Sequence, residues 1–379
     1  MNIITSQPAL VAFCDQVAKD EYITVDTEFI REKTYFPRLC LLQIAGENEA
    51  VIIDPLAEGL DLLPVFALLA KPDLVKVFHA CRQDIEIFFL LSGAVPNNIY
   101  DTQIAASMCG YGESVSYENL VNKIVGAELD KGSRYTDWAA RPLSTRQLEY
   151  ALCDVTHLRK IYEHLRADLV AKGRSSWVRE EQVHLADPTF YKTEPADAWK
   201  RLRYGTMRPK NLAILRELAS WREQEARKCD VPRGRVLKDE ALLELAVAMP
   251  KKSADLARMR SFDKSVSKTR IEEIFAIVER ASQIPPSEYP QANKGSRSPE
   301  NIVGALAMLQ LLLKVKADTS GIAALIIAGK DELEEIALGN NPLSGWRMDI
   351  FGNDADLLVS GKLKLSLNPE NKQVIFWQD

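Results

Sequence analysis

Ile23-Thr24-Val25-Asp26-Thr27-Glu28-Phe29 places two carboxylates two residues apart, directly after a β-branched run. β-Branched side chains favour a strand, and side chains alternate between faces along it. Asp26 and Glu28 are therefore expected on one face. Two acids at the end of a buried strand cost heavily unless something neutralises them. A divalent cation such as Mg²⁺ or Mn²⁺ does so, because it prefers carboxylate oxygens. Taken alone the pattern is common, and the plainer reading is that Asp26 caps a turn while Glu28 is solvated.

The flanking sequence supports a sheet. Leu39–Ala45 is almost continuously apolar, interrupted only by Gln43. Ala50–Ile53 runs into Asp54-Pro55, and Leu74–Phe78 is a fourth candidate strand. Short apolar runs bounded by turn residues suit strands covered on both faces. Helical periodicity lies between and after them, over residues 60–69, 84–91, 102–108, 117–125 and 144–169. The expectation is a mixed sheet flanked by helices, an α/β domain. Asp187-Pro188 and Glu194-Pro195 then break the pattern, and the rest reads mainly as helix. Leu212, Leu215, Leu218-Ala219 and Ala226 share one stripe, Asp239 is expected as an N-cap before Leu242, and Ile271, Ile274, Phe275 and Val278 form another stripe. Pro285-Pro286 opens a polar linker through Ser296. Ile302, Leu306, Leu309 and Leu312-Leu313 predict one more helix, and Leu333 with Ile336-Ala337 another. Leu363, Leu365 and Leu367 alternate, Asn368–Asn371 turns, and Val374 and Phe376 alternate again, as in a terminal hairpin.

At 379 residues the chain suits two or three domains. Its 46% hydrophobic and 27% charged residues are ordinary for a globular protein and exclude a disordered, collagen-like or disulfide-scaffold chain. The net charge of -5 carries no whole-chain signal for nucleic acid or membrane. The distribution does: residues 1–190 carry 18 Lys and Arg against 27 Asp and Glu, whereas residues 191–238 carry 13 against 6. The six cysteines form no C-x-x-C pair and sit in apolar runs, so buried reduced thiols are expected rather than zinc ligands or disulfides. The N-terminus has no basic stretch followed by an apolar one, and the apolar run over 305–313 is too short for a bilayer. A soluble cytoplasmic chain is expected, with no membrane partner and monomeric by default.

Two further clusters carry chemistry. In Phe78-His79-Ala80-Cys81-Arg82-Gln83-Asp84 a strand ends and a helix begins. By itself Asp84 reads as an N-cap and His79 as a strand-end hydrogen-bonding residue. In Tyr150-Ala151-Leu152-Cys153-Asp154 the first and last residues share a helix face. By itself this is a surface Asp beside a half-buried Tyr. Read together, four carboxylates in this order, with a tyrosine one turn before the last, reverse those separate readings.

The ordered set resembles the DEDD superfamily of 3′-to-5′ exonucleases in its tyrosine-bearing subgroup. Asp26 and Glu28 match the first motif, Asp84 the second, and Tyr150 with Asp154 the third. The histidine-bearing subgroup wants His five residues before the last Asp, and Glu149 stands there. The likeness extends through residues 34–44, Asp54-Pro55-Leu56, His79-Ala80-Cys81, Asp137-Trp138 and Arg141-Pro142-Leu143, and is that of the ribonuclease D family. Trp221-Arg222-Glu223, Ala226-Arg227, Val231-Pro232 and Leu237 with Asp239 resemble an HRDC domain, a small helical nucleic-acid-binding module.

The resemblance implies a ribonuclease H-like α/β exonuclease domain over 1–190, a linker over 191–207, an HRDC domain over 208–289 and a second, divergent HRDC-like helical domain over 290–379. It implies two divalent metal ions, Mg²⁺ or Mn²⁺, held by Asp26, Glu28, Asp84 and Asp154. Asp26 would bridge both, Glu28 and Asp154 would hold the one that activates water, and Asp84 would support the one nearer the leaving 3′-oxygen. A free Tyr titrates near pH 10, so Tyr150 is a poor base and better suited to orienting the attacking water. RNA contacts are expected at Phe29, Gln43 and His79, and in the basic segment at Lys200, Arg201, Arg203, Arg208 and Lys210, since cations neutralise phosphates. The bland reading of that segment is a charged linker, and of Trp221 a core residue. The expected activity is trimming of single-stranded RNA 3′ ends, with tRNA precursors as substrates and 5′-mononucleotides as products. A DNA exonuclease and a catalytically dead nucleic-acid scaffold are the competing readings.

Overall fold

The computed structural model describes residues 3–129, 132, 136–263, 265–291 and 302–378. They form two units, one of residues 1–28, 39–188 and 297–379, the other of residues 29–38 and 189–296.

The first unit is built on a six-stranded sheet in the order β1-β4-β3-β2-β5-β6. The strands are β1 (Ile3–Ile4), β2 (Tyr22–Ile30), β3 (Arg38–Ala45), β4 (Ala50–Ile53), β5 (Val75–Phe78) and β6 (Ile99–Asp101). β5 runs parallel to β2 and β6, β1 runs parallel to β4, and β3 is antiparallel to β4 with Leu42 opposite Ile53. The four expected strands are present. β1 and β6 were not expected, because two or three residues are too few to show a period. Residues 39–45 of β3 are at most 6% exposed, which explains their unbroken apolar character. The helices are α1 (Gln7–Val17), α2 (Leu63–Leu69), α3 (Arg82–Ser92), α4 (Thr102–Cys109), α5 (Tyr117–Leu120), α6 (Thr145–Ala171) and α7 (Ser175–Gln182). Ser144 and Gln147 form a capping box at the start of α6, the 27-residue helix that carries Tyr150 and Asp154. Asp84 lies in the first turn of α3, where Cys81 and not Asp84 occupies the N-cap.

In the second unit α8 (Pro209–Lys228), α9 (Arg233–Val236), α10 (Asp239–Ala248), α11 (Ser253–Leu256) and α12 (Lys268–Ser282) enclose an apolar core. Residues expected as linker join it: Ala198, Trp199 and Leu202 are at most 7% exposed there. Asp239 is the first residue of α10 and Lys238 its N-cap, which corrects the expected cap by one position. Trp221 is half-buried against the core, and its Nε1 donates to Glu273 at 2.8 Å.

After residue 302 come α13 (Val303–Ser320), α14 (Ala324–Ile327), α15 (Lys330–Ala337), α16 (Gly345–Arg347) and α17 (Asn353–Val359), the first three repeating the long, one-turn, medium order of α8–α10. α9 and α14 are both one-turn helices followed by an extended residue, Leu237 at φ -164° and Ala328 at φ -152°. These later helices share one core with α4, α6 and α7. Arg174 binds two helix C-termini there, donating to Met108 O at 2.7 Å and Ser320 O at 2.6 Å. Gly110 makes the approach possible, since a Cβ on it would meet Gly321 O at 2.8 Å. The expected hairpin is present as β7 (Leu363–Leu367) and β8 (Val374–Gln378).

All six cysteines are unbridged; Cys14, Cys40, Cys81 and Cys109 are buried, but Cys229 is exposed, against expectation. No described helix is long and apolar enough to cross a membrane.

Candidate active site

The two-residue spacing does what strand geometry dictates. Thr24, Asp26 and Glu28 alternate along β2, and Thr24 Oγ1 donates to Val155 O of α6 at 2.8 Å, which ties this face of the strand to that helix. Oxygens of Asp26, Glu28 and Asp154 all lie within 4.8 Å of one another. The helix turn bearing Asp154 is fixed by Tyr117, whose hydroxyl donates to Asp154 O at 2.6 Å and Cys153 O at 3.2 Å.

Asp84 is outside that group of three. It is 8% exposed, and Thr27 Oγ1 donates to its Oδ1. Burial pushes the Asp84 carboxyl up to about 7, with the Thr27 bond pulling the other way. Burial, then the charges of Asp154, Asp84 and Glu28, hold Asp26 well above the usual carboxylate range. Asp26 and Asp84 form no salt bridge with any described residue.

The loop ahead of α6 is held by a second acid. Arg141 binds both oxygens of Asp54 at 2.7 Å and also donates to Cys40 O and Trp138 O. Trp138, 3% exposed, sits 6.1 Å from the Tyr150 ring. Asp101 shapes the entry to α3: it accepts from Ala80 N at 3.0 Å and Cys81 N at 2.9 Å, holding Ala80 at φ 55°. The sequence displayed Asp54, Trp138 and Arg141 as motif residues without showing what they touch. The site contacts of Thr24, Thr27, Asp101 and Tyr117 carried no local signal, because they reach partners 20 to 131 residues away.

The remaining expected contacts divide. Gln43 is 0% exposed and both its amide atoms lack hydrogen-bond partners. His79 is half-buried, and its Nδ1 lies 3.0 Å from Thr102 Oγ1. Burial lowers its pKa, against the nearby Asp101 charge. Phe29 is half-buried and belongs to the second unit, as do Lys200, Arg201, Arg203, Arg208 and Lys210, all exposed. Lys200 is paired with Asp197 at 2.7 Å.

The donor set fits divalent cations: hard oxygens only, clustered, mutually repelling and without internal counter-charge on Asp26 or Asp84. A cation held there supplies Lewis acidity and a bound water of lowered pKa. Asp26, Glu28 and Asp154 are placed to hold it, and Asp84 stands next to them in the same field. Tyr150, one turn before Asp154, presents a hydroxyl from the same helix.

The comparisons with known proteins agree with this geometry. The family model described as 3′-5′ exonuclease matches residues 1–170, and the HRDC domain model matches residues 211–278. The chain is 46% identical over 383 residues to ribonuclease D of Jannaschia sp. (strain CCS1), covering 99% of each chain. It is 43% identical over 378 residues to that of Acidiphilium cryptum (strain JF-5), covering 98% of this chain and 96% of the other. The crystal structure of Escherichia coli RNase D, described as an exoribonuclease involved in structured RNA processing, superposes with a TM-score of 0.82 at 30% identity, covering 95% of this chain and 99% of that one. With carboxylates on one strand and two helices, and full-length identity above 40%, the chain belongs to the ribonuclease D family of 3′-5′ exonucleases.

Proposed function

We propose that the chain is a 3′-5′ exoribonuclease that hydrolyses the terminal phosphodiester of RNA and releases 5′-mononucleotides. The observation that carries this is the meeting of Asp26, Glu28 and Asp154 oxygens within 4.8 Å, one helical turn from Tyr150. In the reaction a water oxygen bonds to phosphorus, the bond to the 3′-oxygen breaks, and that oxygen takes up a proton. The family's assignment of roles suits the chain: Asp26, Glu28, Asp84 and Asp154 would hold the cations, which would lower the pKa of the attacking water and offset charge on the leaving 3′-oxygen, and Tyr150 would orient that water. Mg²⁺ and Mn²⁺ both match an all-oxygen donor set.

The natural substrates in this reading are RNAs with single-stranded 3′ ends, tRNA precursors among them, and the enzyme works as a cytoplasmic monomer. The exonuclease domain spans 1–190 and the HRDC domain 208–289, with residues 191–207 joined to the HRDC core through Ala198, Trp199 and Leu202. Residues 290–379 form a second HRDC-like unit, supported by the long, one-turn, medium order of α13–α15, which repeats that of α8–α10.

The test is a 5′-labelled RNA with a single-stranded 3′ tail, incubated with Mg²⁺, Mn²⁺ or excess chelator, beside the DNA strand of the same sequence. A ladder shortening from the 3′ end of RNA, absent with chelator and in Asp26→Asn, is expected. Binding without shortening in either metal would favour a non-catalytic scaffold, and preference for the DNA strand would favour a DNA exonuclease.

A further inference from the structure

One guanidinium in the first unit holds the loop ahead of α6. Arg141 Nε and Nη2 each donate to Asp54 at 2.7 Å, and Nη2 donates also to Cys40 O at 2.7 Å. Its Nη1 donates to Trp138 O at 2.8 Å and Ala140 O at 2.9 Å. All five N–H groups of the guanidinium are thereby engaged. Cys40 lies in β3 and Asp54 directly follows β4, so one cation fastens the loop to two neighbouring strands. Asp54 is itself fixed: its N–H donates to Ile4 O at 3.0 Å, and its Oδ1 accepts from Leu56 N at 3.0 Å. Burial would raise the Asp54 carboxyl, but the Arg141 bonds, the Leu56 N–H and the arginine charge hold it below its ordinary value. At the other end of the loop, Gln147 Nε2 in the first turn of α6 donates to Thr136 Oγ1 at 3.1 Å. Trp138 lies between these anchors. It is 3% exposed, and its Nε1 is buried without an acceptor. No hydrogen bond of its own orients the indole, so its place depends on packing and on the backbone that Arg141 grips. The indole meets the Tyr150 ring at 6.1 Å with a 35° tilt, within the range of aromatic pairs.

We propose that Arg141 is a positioning residue for the hydrolysis: locked to Asp54, it sets the backbone of Trp138, and the Trp138 indole holds the Tyr150 ring so that its hydroxyl meets the attacking water. The proposal rests on the exoribonuclease reading, in which Tyr150 orients that water. A paired guanidinium–carboxylate contact fixes direction as well as distance. The Tyr150 hydroxyl stands at the far end of its side chain, so a small rotation of the ring moves it most. A reacting group misplaced by about 1 Å can lose about a hundredfold in rate. With every N–H group of Arg141 engaged inside the protein, none is left for a phosphate, which separates this role from substrate binding.

The full chain is assayed on a 5′-labelled RNA with a single-stranded 3′ tail, in saturating Mg²⁺ and well below the Tm of every variant. Arg141→Lys keeps the charge and loses the paired geometry, whereas Asp54→Asn keeps the shape and loses the charge. Each is made in wild type and in Tyr150→Phe. In wild type each is expected to lower kcat about tenfold, with KM and the metal-induced rise in Tm retained. In Tyr150→Phe the further loss is expected to shrink below about twofold, because the hydroxyl that the clamp positions is gone. Equal losses in the two backgrounds would overturn the proposal, as would a lost metal response, since the clamp would then act on the acids or on the fold at large. Unchanged kcat in both clamp variants, with Tyr150→Phe slow, sinks the clamp alone. Wild-type turnover in Tyr150→Phe sinks it together with the role of Tyr150. Should a clamp variant fail to fold, Trp138→Leu removes the ring, leaves the clamp, and is held to the same comparison. Crystal structures of wild type and Arg141→Lys give a readout independent of activity. A displaced Tyr150 ring is expected, and Trp138 and Tyr150 in their wild-type places would overturn the proposal. If wild type shortens no RNA, the exoribonuclease reading fails, and the place of the Tyr150 ring still decides whether the clamp sets it.

Discussion

Two acidic sites among the described residues, one around Glu223 and one around Asp26 and Asp84, are treated in opposite ways. In the second unit Glu223, 1% exposed, accepts from Arg233 Nε and Nη2 and from the Tyr35 hydroxyl, which also receives Arg227 Nε at 3.0 Å. The two guanidiniums flank the Tyr35 ring at 5.6 and 4.7 Å, and Asp230 binds the backbone N–H groups of Tyr35 and Phe36. Burial alone would raise Glu223, but the Arg233 and Tyr35 hydrogen bonds and the arginine charges hold it below its ordinary value. In the first unit Asp26 and Asp84 are raised by burial, and Asp26 by its fellow acids as well. The protein supplies its own counter-charge where a carboxylate is architecture. It withholds counter-charge where a cation from solution is to enter.

The sharpest way to break this comparison is to remove one charge from each cluster. Asp26→Asn is expected to lower RNA hydrolysis at least about a thousandfold while the chain stays folded, as read by initial rates and circular dichroism. Residual activity within tenfold of wild type would mean that the cluster is not the cation site. Glu223→Gln is expected to cost about 3 kcal/mol in urea unfolding, because Arg233 loses its buried partner. A change below about 0.5 kcal/mol would show that this pair is no more than a surface contact.

Tyr150→Phe removes a hydroxyl and no charge. Its kcat is expected to fall roughly tenfold to a hundredfold, with the metal-induced rise in Tm retained; wild-type turnover would remove Tyr150 from the reaction. The smallest effect concerns pH. In chelator, a carboxyl raised to about 7, as at Asp84, binds its proton more tightly in the folded than in the unfolded chain. Stability of the first unit should therefore fall as pH rises from about 4 to 7. A depressed carboxyl, as at Glu223, has the opposite sign: its contribution is full above the unfolded value and lost as pH falls through the lower folded value. Hydrogen exchange resolved by unit measures both, and parallel responses of the two units would erase the distinction.

Much of this was legible in the chain. Asp26 and Glu28 share a face because strands have period two, and Tyr150 and Asp154 share one because helices have period near four. The long strands β2–β5 and helices α3, α4, α6, α8 and α12 announced themselves by their apolar periods. The two-residue β1 and three-residue β6 did not, since pairing partners rather than local pattern make them strands. Gln43 illustrates the limit of local pattern: a polar residue interrupts an apolar run, and packing against distant segments buries it fully.

The residues themselves determined the acid set, its order, the tyrosine form of the third motif and the basic character of the segment after residue 190, because these depend only on identity and spacing. Tertiary structure decided which acids receive partners. Thr27 reaches Asp84 across 57 positions, Tyr35 reaches Glu223 across 188, and residues 303–363 bury their apolar faces in a core shared with α4, α6 and α7. Burial and the choice of counter-charge are properties of contacts between distant segments, and no local period encodes them.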